Sequence, residues 1–255
     1  MNLRFKTKNM KACAAVLSVA ILGANALPAA LASTCSTSSC SITSGHYYLI
    51  NNWWGVGSGV SGSQSITLNS TSSWSTSWSW SGGESYDVKT YAELVDGWNW
   101  GTFNGSPFPY QISGGHAVDA TWDFSSSQST TGGQDISWDC FFSPSSNPGD
   151  TNPSDEMMVW LAYYDGAGPL GSYKTTVTVD GWSWKVYQGT GSWNVVSYVV
   201  AGSNATGYSC NLMDFAKEAS TLGYISSSHY FLNVDTGTEI FEGAGKLTTT
   251  SYSAP

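Results

Sequence analysis

Glu156 opens a strongly apolar segment that runs to Leu161. In a β-strand, alternate side chains point to opposite faces, so Glu156, Met158 and Trp160 would share one face. A carboxyl group beside methionine and tryptophan is partly removed from water, which raises its pKa and suits it to acid–base or nucleophilic chemistry. The alternative is an acid that merely ends the loop before the strand, and spacing alone does not decide between the two.

A second segment of this kind covers residues 231–241. If the strand stays regular through Gly237, then Asn233, Asp235 and Glu239 share one face. Carboxyl groups on two strands can meet across a cleft, and glycoside hydrolysis needs such a pair, with one acting as nucleophile or base and the other as proton donor. Asp119 and Asp123 form a third candidate, because their even spacing also places them on one face.

Other catalytic chemistries find less support in the sequence. Asp235 begins an Asp-Thr-Gly triplet of the aspartic-protease type, but the triplet occurs once and such a protease needs two. There is no CxxC motif, and His46, His116 and His229 are too far apart for metal-ligand spacing. We therefore do not expect a metal site.

Aromatic residues are abundant, with 13 Trp, 14 Tyr and 9 Phe among 255 residues. Sugar rings pack their C–H faces on indole rings, while sugar hydroxyls need amide and N–H partners. Two segments supply that mixture, residues 51–55 (NNWWG) and 98–100 (WNW). Any single tryptophan can equally belong to the core, but 13 are hard to house entirely inside one domain.

The elements that must position these residues are mostly strands. Residues 73–81 alternate strongly and place Trp74, Trp78 and Trp80 on one face, which is either core or a sugar-stacking surface. Only residues 211–222 follow a helical period. We therefore predict an all-β jelly roll or related sandwich of two stacked antiparallel sheets with one short helix. Further strands are predicted at 65–69, 117–124, 156–163, 175–179, 182–188, 192–200, 230–234 and 246–252.

The N-terminus predicts export. Basic residues precede a short apolar run and a small-residue end, so residues 1–32 are interpreted as a secretory signal peptide and the protein as extracellular. Its removal leaves five basic residues against 18 acidic ones, a net charge of −13, which argues against a nucleic-acid partner. No later stretch reaches the length of a membrane span.

Four cysteines remain after the predicted cleavage, and in an oxidising compartment they allow three pairings that the sequence does not resolve. They are Cys35, Cys40, Cys140 and Cys210. Residues 33–45, rich in Ser, Thr and Cys, would form a tether or edge segment before a domain over residues 46–255.

Several motifs in register make the mature chain resemble glycoside hydrolase family 12, secreted endo-β-1,4-glucanases with a β-jelly-roll fold. Residues 120–124 depart from the family pattern, with Trp in place of Tyr before Asp123. The matching segments are 48–55 (YLINNWWG), 78–83 (WSWSGG), 88–91 (VKTY), 120–124 (ATWDF), 155–161 (DEMMVWL), 168–171 (GPLG) and 237–241 (GTEIF).

The resemblance implies Glu156 as nucleophile and Glu239 as general acid/base of a retaining reaction, with the carboxyl groups about 5–5.5 Å apart. It implies that Asp123 hydrogen-bonds the nucleophile. It also implies substrate contacts for the cleft residues Asn52, Trp54, Met158 and Trp160.

The implied partner is a β-glucan, bound by a monomer that needs no metal, cofactor or membrane. Two alternatives remain open. One is a xyloglucan-specific endoglucanase, and the other is a non-catalytic glucan-binding protein with the same fold.

Overall fold

The computed structural model describes residues 32–255. The predicted signal peptide therefore lies, apart from Ala32, outside the described residues. No helix in the described part of the chain has both the length and the apolar character needed to cross a membrane.

Strands account for most of the described chain. In order they are β1 (Ser33–Cys35), β2 (Ser41–Ser44), β3 (Tyr47–Asn52), β4 (Val60–Ser70), β5 (Ser73–Gly82), β6 (Thr90–Asn99), β7 (Thr102–Phe103), β8 (Tyr110–Gln111), β9 (Asp119–Thr130), β10 (Gln134–Ser143), β11 (Asp155–Tyr164), β12 (Ser172–Val179), β13 (Trp182–Thr190), β14 (Asn194–Val200), β15 (Gly207–Asn211), β16 (Tyr230–Phe231), β17 (Asn233–Ile240) and β18 (Gly243–Ser253). A 3₁₀ turn spans Ile112–Gly114, and the helix α1 spans Leu212–Thr221.

The strands form two stacked sheets, which confirms the predicted jelly-roll sandwich. The smaller sheet has the order β1-β4-β5-β18-β9-β15, and the main path of the larger one is β12-β13-β14-β11-β10-β17-β6-β3-β2. Pairing is antiparallel except between β11 and β14, which run parallel. The strand order of the larger sheet places β10 between β11, which carries Glu156, and β17, which carries Glu239.

The core lies between the sheets and is rich in tryptophan. Trp74, Trp78 and Trp80 of β5 are at most 5% exposed, so this face belongs to the core rather than to a sugar-stacking surface. Trp138 of β10 meets Trp122 of the facing sheet at a ring distance of 5.9 Å. With one face of the larger sheet filled in this way, its other face is free to carry polar side chains.

Helix α1 agrees with the period predicted for residues 211–222. Asn211 caps it by accepting a hydrogen bond from the Met213 N–H at 3.2 Å. On the buried side, Phe215 packs edge-on against Trp184 and Tyr198 at ring distances of 5.1 and 5.2 Å. The helix therefore closes one end of the core.

The N-terminal segment is part of the sandwich edges. Strand β1 pairs with β4 at the border of the smaller sheet, and β2 pairs with β3 at the border of the larger one. A disulfide joins Cys35 to Cys40, while Cys140 and Cys210 are free and buried. Of the two disulfides that four cysteines permit, the structure thus contains one.

Candidate active site

A cavity of about 580 Å³ opens on the outer face of the larger sheet. Its floor is formed by β6, β10, β11 and β17, and its walls by residues that follow β3 and precede β14. The exposed Trp54 stands on one side, Trp193 on another, and Leu170 on the loop after β11. Carboxyl groups and aromatic rings therefore line the same space.

Glu156 reaches this cavity from the beginning of β11 and is half-buried. The Trp193 indole N–H donates to its Oε2 at 2.5 Å. Burial, and to a smaller degree the negative charge of Glu239, raise the pKa of Glu156 to about 7, although the hydrogen bond from Trp193 opposes the shift. The carboxyl group can thus exist in either protonation state near neutral pH.

The residue before Glu156 anchors the beginning of its strand. Asp155 is buried, contacts His229 Nδ1 through Oδ2 at 2.7 Å, and accepts from the Asn194 side-chain amide at 2.9 Å. Because Asn194 directly follows Trp193 in the chain, one network fixes both Glu156 and the tryptophan that donates to it.

Glu239 reaches the cavity from β17 and is also half-buried. Burial raises its pKa well above the usual carboxyl range, and the charge of Asp135 together with a hydrogen bond between the two side chains adds to the effect. The pKa of Asp135 is raised by burial to about 6, while its hydrogen bonds with Glu239 oppose the rise. Of Glu239 and Asp135, Glu239 is therefore the one that keeps its proton.

Asp139 lies between the two glutamates, on β10. It is buried, lines the cavity, and stands opposite both Met158 of β11 and Asp235 of β17. Burial, followed by the charges of Glu156 and other carboxyl groups around it, raises its pKa well above the usual range. A neutral carboxyl group here can donate a hydrogen bond.

The role predicted for Asp123 is wrong. Asp123 belongs to β9 of the smaller sheet, opposite Gly207, and is exposed. Its neighbours Trp122 and Phe124 point into the core, so the Asp123 side chain faces outward and the whole core separates it from Glu156. The structure instead places Asp139 next to the glutamates. Like Asp123, Asp139 directly follows a tryptophan in the sequence.

The four predicted substrate-contact residues all line the cavity. Trp54 is 64% exposed, so its ring is free to stack on a ligand. Met158 and Trp160 are nearly buried in the floor, where the Trp160 indole N–H points to the Met158 sulfur at 3.4 Å. The Asn52 amide donates to Glu93 Oε1 at 3.1 Å.

Most of the other carboxyl groups in or next to the cavity were not predicted from the sequence. Strands β6 and β10 were not predicted, and they carry Glu93, Asp135 and Asp139. A signal was present, because Asp135, Ser137 and Asp139 alternate with apolar residues along β10. Trp100, from the segment 98–100 singled out as suited to sugar contact, forms an aromatic wall with Phe141 and Trp193, neither of which was predicted to line the site.

The described residues contain no group of three or more His, Cys, Asp or Glu side chains arranged to hold a metal ion. The carboxyl groups of the cavity instead contact amides, hydroxyls and one another.

The family model for glycosyl hydrolase family 12 matches residues 45–255. The chain belongs to this family. It is 38% identical over 220 residues to a xyloglucan-specific endo-beta-1,4-glucanase A of Emericella nidulans, covering 83% of this chain and 86% of that protein. It is 34% identical to Endoglucanase S of Pectobacterium parmentieri, covering 81% and 80%.

Solved structures of family 12 enzymes have the same fold. A xyloglucanase from Bacillus licheniformis in complex with ligand superposes with a TM-score of 0.81 at 30% identity, covering 87% of this chain and 98% of that one. Endoglucanase 3 of Trichoderma harzianum gives 0.78 at 31% identity, covering 89% and 98%. The protein is thus a glycoside hydrolase by family and by fold.

Proposed function

We propose that the protein is a secreted endo-β-1,4-glucanase that retains the anomeric configuration, with Glu156 as nucleophile and Glu239 as general acid/base. The observation that carries the proposal is the pairing of these two half-buried glutamates across β10 in one open cavity. A retaining glycosidase needs two carboxyl groups of this kind facing one substrate bond.

The two environments suit different roles. Glu239 keeps its proton against Asp135, so it can protonate the leaving oxygen. Glu156 accepts from Trp193, and this hydrogen bond favours the charged form that attacks the anomeric carbon. Once the sugar is attached to Glu156, Glu239 has lost its proton and can activate water. A pure binding protein would have no use for this asymmetry.

The cavity shape supports cleavage within a chain. It is open and extends from Trp54 on one side to the aromatic wall of Trp100, Phe141 and Trp193 on the other. Glucosyl rings can stack on either side of the carboxyl pair. Secretion is proposed from the predicted signal peptide at residues 1–32.

The anomeric form of the first product tests the mechanism. Proton NMR of freshly released oligosaccharide from barley β-glucan should show the β-anomer before mutarotation. The Glu239→Gln variant should lose at least about 100-fold in kcat on this substrate, because no proton reaches the leaving oxygen. An α-anomer as first product, or full activity in this variant, would rule the proposal out.

Xyloglucan is the second candidate substrate. It is suggested by the relative of Emericella nidulans and the structure from Bacillus licheniformis, whose names specify that polysaccharide. The aromatic wall, which includes Trp100 at 38% exposure, offers additional apolar surface for branches. A kcat/KM for xyloglucan well above that for barley β-glucan would favour this substrate, and the reverse ratio would favour unbranched glucans.

A further inference from the structure

Glu93 and Asp235 are two buried carboxyl groups that the proposed double displacement does not use. They lie on the neighbouring strands β6 and β17. Glu93 is opposite Gly237, and Asp235 is two residues before Gly237, so the two side chains are on the same face of the sheet. Glu93 is 3% exposed and Asp235 is fully buried. Their side chains are in hydrogen-bonding contact, so at least one of them carries a proton.

Amide groups hold this pair in place. The Asn52 amide donates to Glu93 Oε1 at 3.1 Å, and the Asn233 amide donates to Asp235 Oδ1 at 2.8 Å. Neither carboxyl group forms an ion pair within residues 32–255. Neutral donors and a shared proton, rather than a cation, therefore compensate the burial.

The protonation of the pair follows from its surroundings. Burial, with a contribution from the charge of Glu239, raises the pKa of Glu93 to about 8, although hydrogen bonds from Asn52 and Asp235 oppose the rise. Burial and the charge of Glu93 raise the pKa of Asp235 well above the usual range. Between pH 5 and 7 the pair therefore keeps at least one proton, and it can offer both a donor and an acceptor.

Of the two, Glu93 lines the cavity, whereas Asp235 is beside it on the same sheet face and does not line the cavity. Strand β6, which carries Glu93, is one strand beyond that of Glu239 and next to β3, which carries Asn52. This position lies between the reacting carboxyl groups and the exposed ring of Trp54. A sugar ring that spans that interval would present its hydroxyl groups to Glu93.

We propose that Glu93, positioned by Asp235, binds one hydroxyl group of the glucosyl ring between Trp54 and the reacting bond, and so selects glucans in which that hydroxyl is free. The inference rests on the proposed function. A buried polar group left without its partner costs more than a lost apolar contact, so such a site discriminates strongly against a ring whose hydroxyl is missing or substituted.

Single-hydroxyl deletions test this inference. The substrates are 4-nitrophenyl β-cellotrioside and analogues that lack the C2, C3 or C6 hydroxyl of the middle ring. For the wild-type protein, one deletion should lower kcat/KM about 10- to 100-fold, the range of a hydrogen bond to a charged group. The Glu93→Ala variant should lose a similar factor on the parent substrate and then be indifferent, within about twofold, to that deletion.

Asp96 provides a matched control. It is a fully buried carboxyl group on the same strand, with burial raising its pKa to about 7, but it does not line the cavity. Asp96→Ala should lower stability while keeping the full discrimination among the hydroxyl analogues. Asp235→Ala should weaken that discrimination, whereas Asp235→Asn, whose amide can donate to Glu93, should retain most of it. A general loss of stability would not produce this pattern.

Each outcome bears on the inference. If Glu93→Ala discriminates as the wild type does, or if the wild type is indifferent to every deletion, the inference is overturned. If Glu93→Ala does not fold, the two Asp235 variants take its place. Weaker discrimination in Asp235→Ala than in Asp235→Asn supports the inference, and wild-type discrimination in both overturns it. If the wild type does not cleave the parent substrate, the proposed function fails, and calorimetric binding of the same analogues to the wild type still tests the hydroxyl contact.

Discussion

The chemistry of the site depends on which carboxyl groups hold protons. Six of them lie in or next to one cavity, and their pKa values are raised chiefly by burial; they are Glu93, Asp135, Asp139, Glu156, Asp235 and Glu239. Hydrogen bonds then give different environments to the two that the proposed mechanism uses. Glu156 receives one from a neutral indole, and Glu239 gives one to a neighbouring carboxyl group. The same amino acid can therefore serve as nucleophile in one place and as acid in the other.

Asp135→Asn tests the source of the proton on Glu239. Removing the Asp135 charge should lower the pKa of Glu239, so the alkaline limb of the kcat/KM profile should move down by about one pH unit. Asp123→Asn, on the outer face of the smaller sheet, is the control and should leave the profile unchanged. An alkaline limb that stays in place or moves upward in Asp135→Asn would contradict this assignment.

Trp193→Phe tests the hydrogen bond to Glu156, the proposed nucleophile. Phenylalanine keeps most of the ring contacts but has no N–H, so the pKa of Glu156 should rise above its value of about 7. Because the nucleophile must be ionised, the acidic limb of the kcat/KM profile should move to higher pH. Tyr173→Phe, an exposed ring on β12 that does not line the cavity, serves as the control. A downward shift of the acidic limb would contradict the role of Trp193.

At the scale of elements, β10 organises the site, and it shows what the sequence could predict. Some elements could be predicted because each has a clear apolar period. They are strand β5, helix α1 and the two strands that carry Glu156 and Glu239. Strands β6 and β10 were missed because they are buried on both faces, and polar residues on the cavity face resemble loop residues. Missing β10 led directly to a wrong site residue. Because β10 was not predicted, the aspartate expected next to Glu156 was placed at Asp123 instead of Asp139.

Asp155→Ala tests the anchor at the beginning of β11. The change leaves the partner groups on His229 and Asn194 without their acceptor, so the free energy of unfolding should fall by about 1–3 kcal/mol. Because the network also fixes Glu156 and Trp193, kcat should fall while KM for a long glucan changes little. Urea unfolding and steady-state kinetics measure the two effects. Wild-type stability together with wild-type kcat would show that the network does not position the nucleophile.

At the scale of the whole molecule, acidity and burial act together. The chain after residue 32 carries five basic and 18 acidic residues, so surface repulsion grows as the pH rises. The buried carboxyl groups add to this trend, because their pKa values are higher in the folded chain than in the unfolded one. Their stabilising effect is complete below the ordinary carboxyl pKa of about 4 and is lost as the pH rises through the folded values.

Stability should therefore decrease from mildly acidic to alkaline pH. The folded values of about 6 for Asp135, about 7 for Glu156 and Asp96, and about 8 for Glu93 place the loss between about pH 4 and pH 8, with its steepest part below about pH 6. We expect the free energy of unfolding to fall by at least about 2 kcal/mol over that interval, as measured by urea unfolding at constant ionic strength. A free energy that rises over the same interval would show that these groups are ionised in the folded protein.

The central claim is that Glu156 forms a covalent bond to the sugar while Glu239 handles the proton. The most direct measurement is mass spectrometry of peptides from protein treated with a 2-deoxy-2-fluoro cellobioside that carries a good leaving group. The fluorine slows the second step, so the glycosyl-enzyme should accumulate, with the added sugar mass on the peptide that contains Glu156 and on no other. Label on a peptide with Asp139, Asp235 or Glu239, or the absence of a covalent adduct under conditions of turnover, would contradict the mechanism.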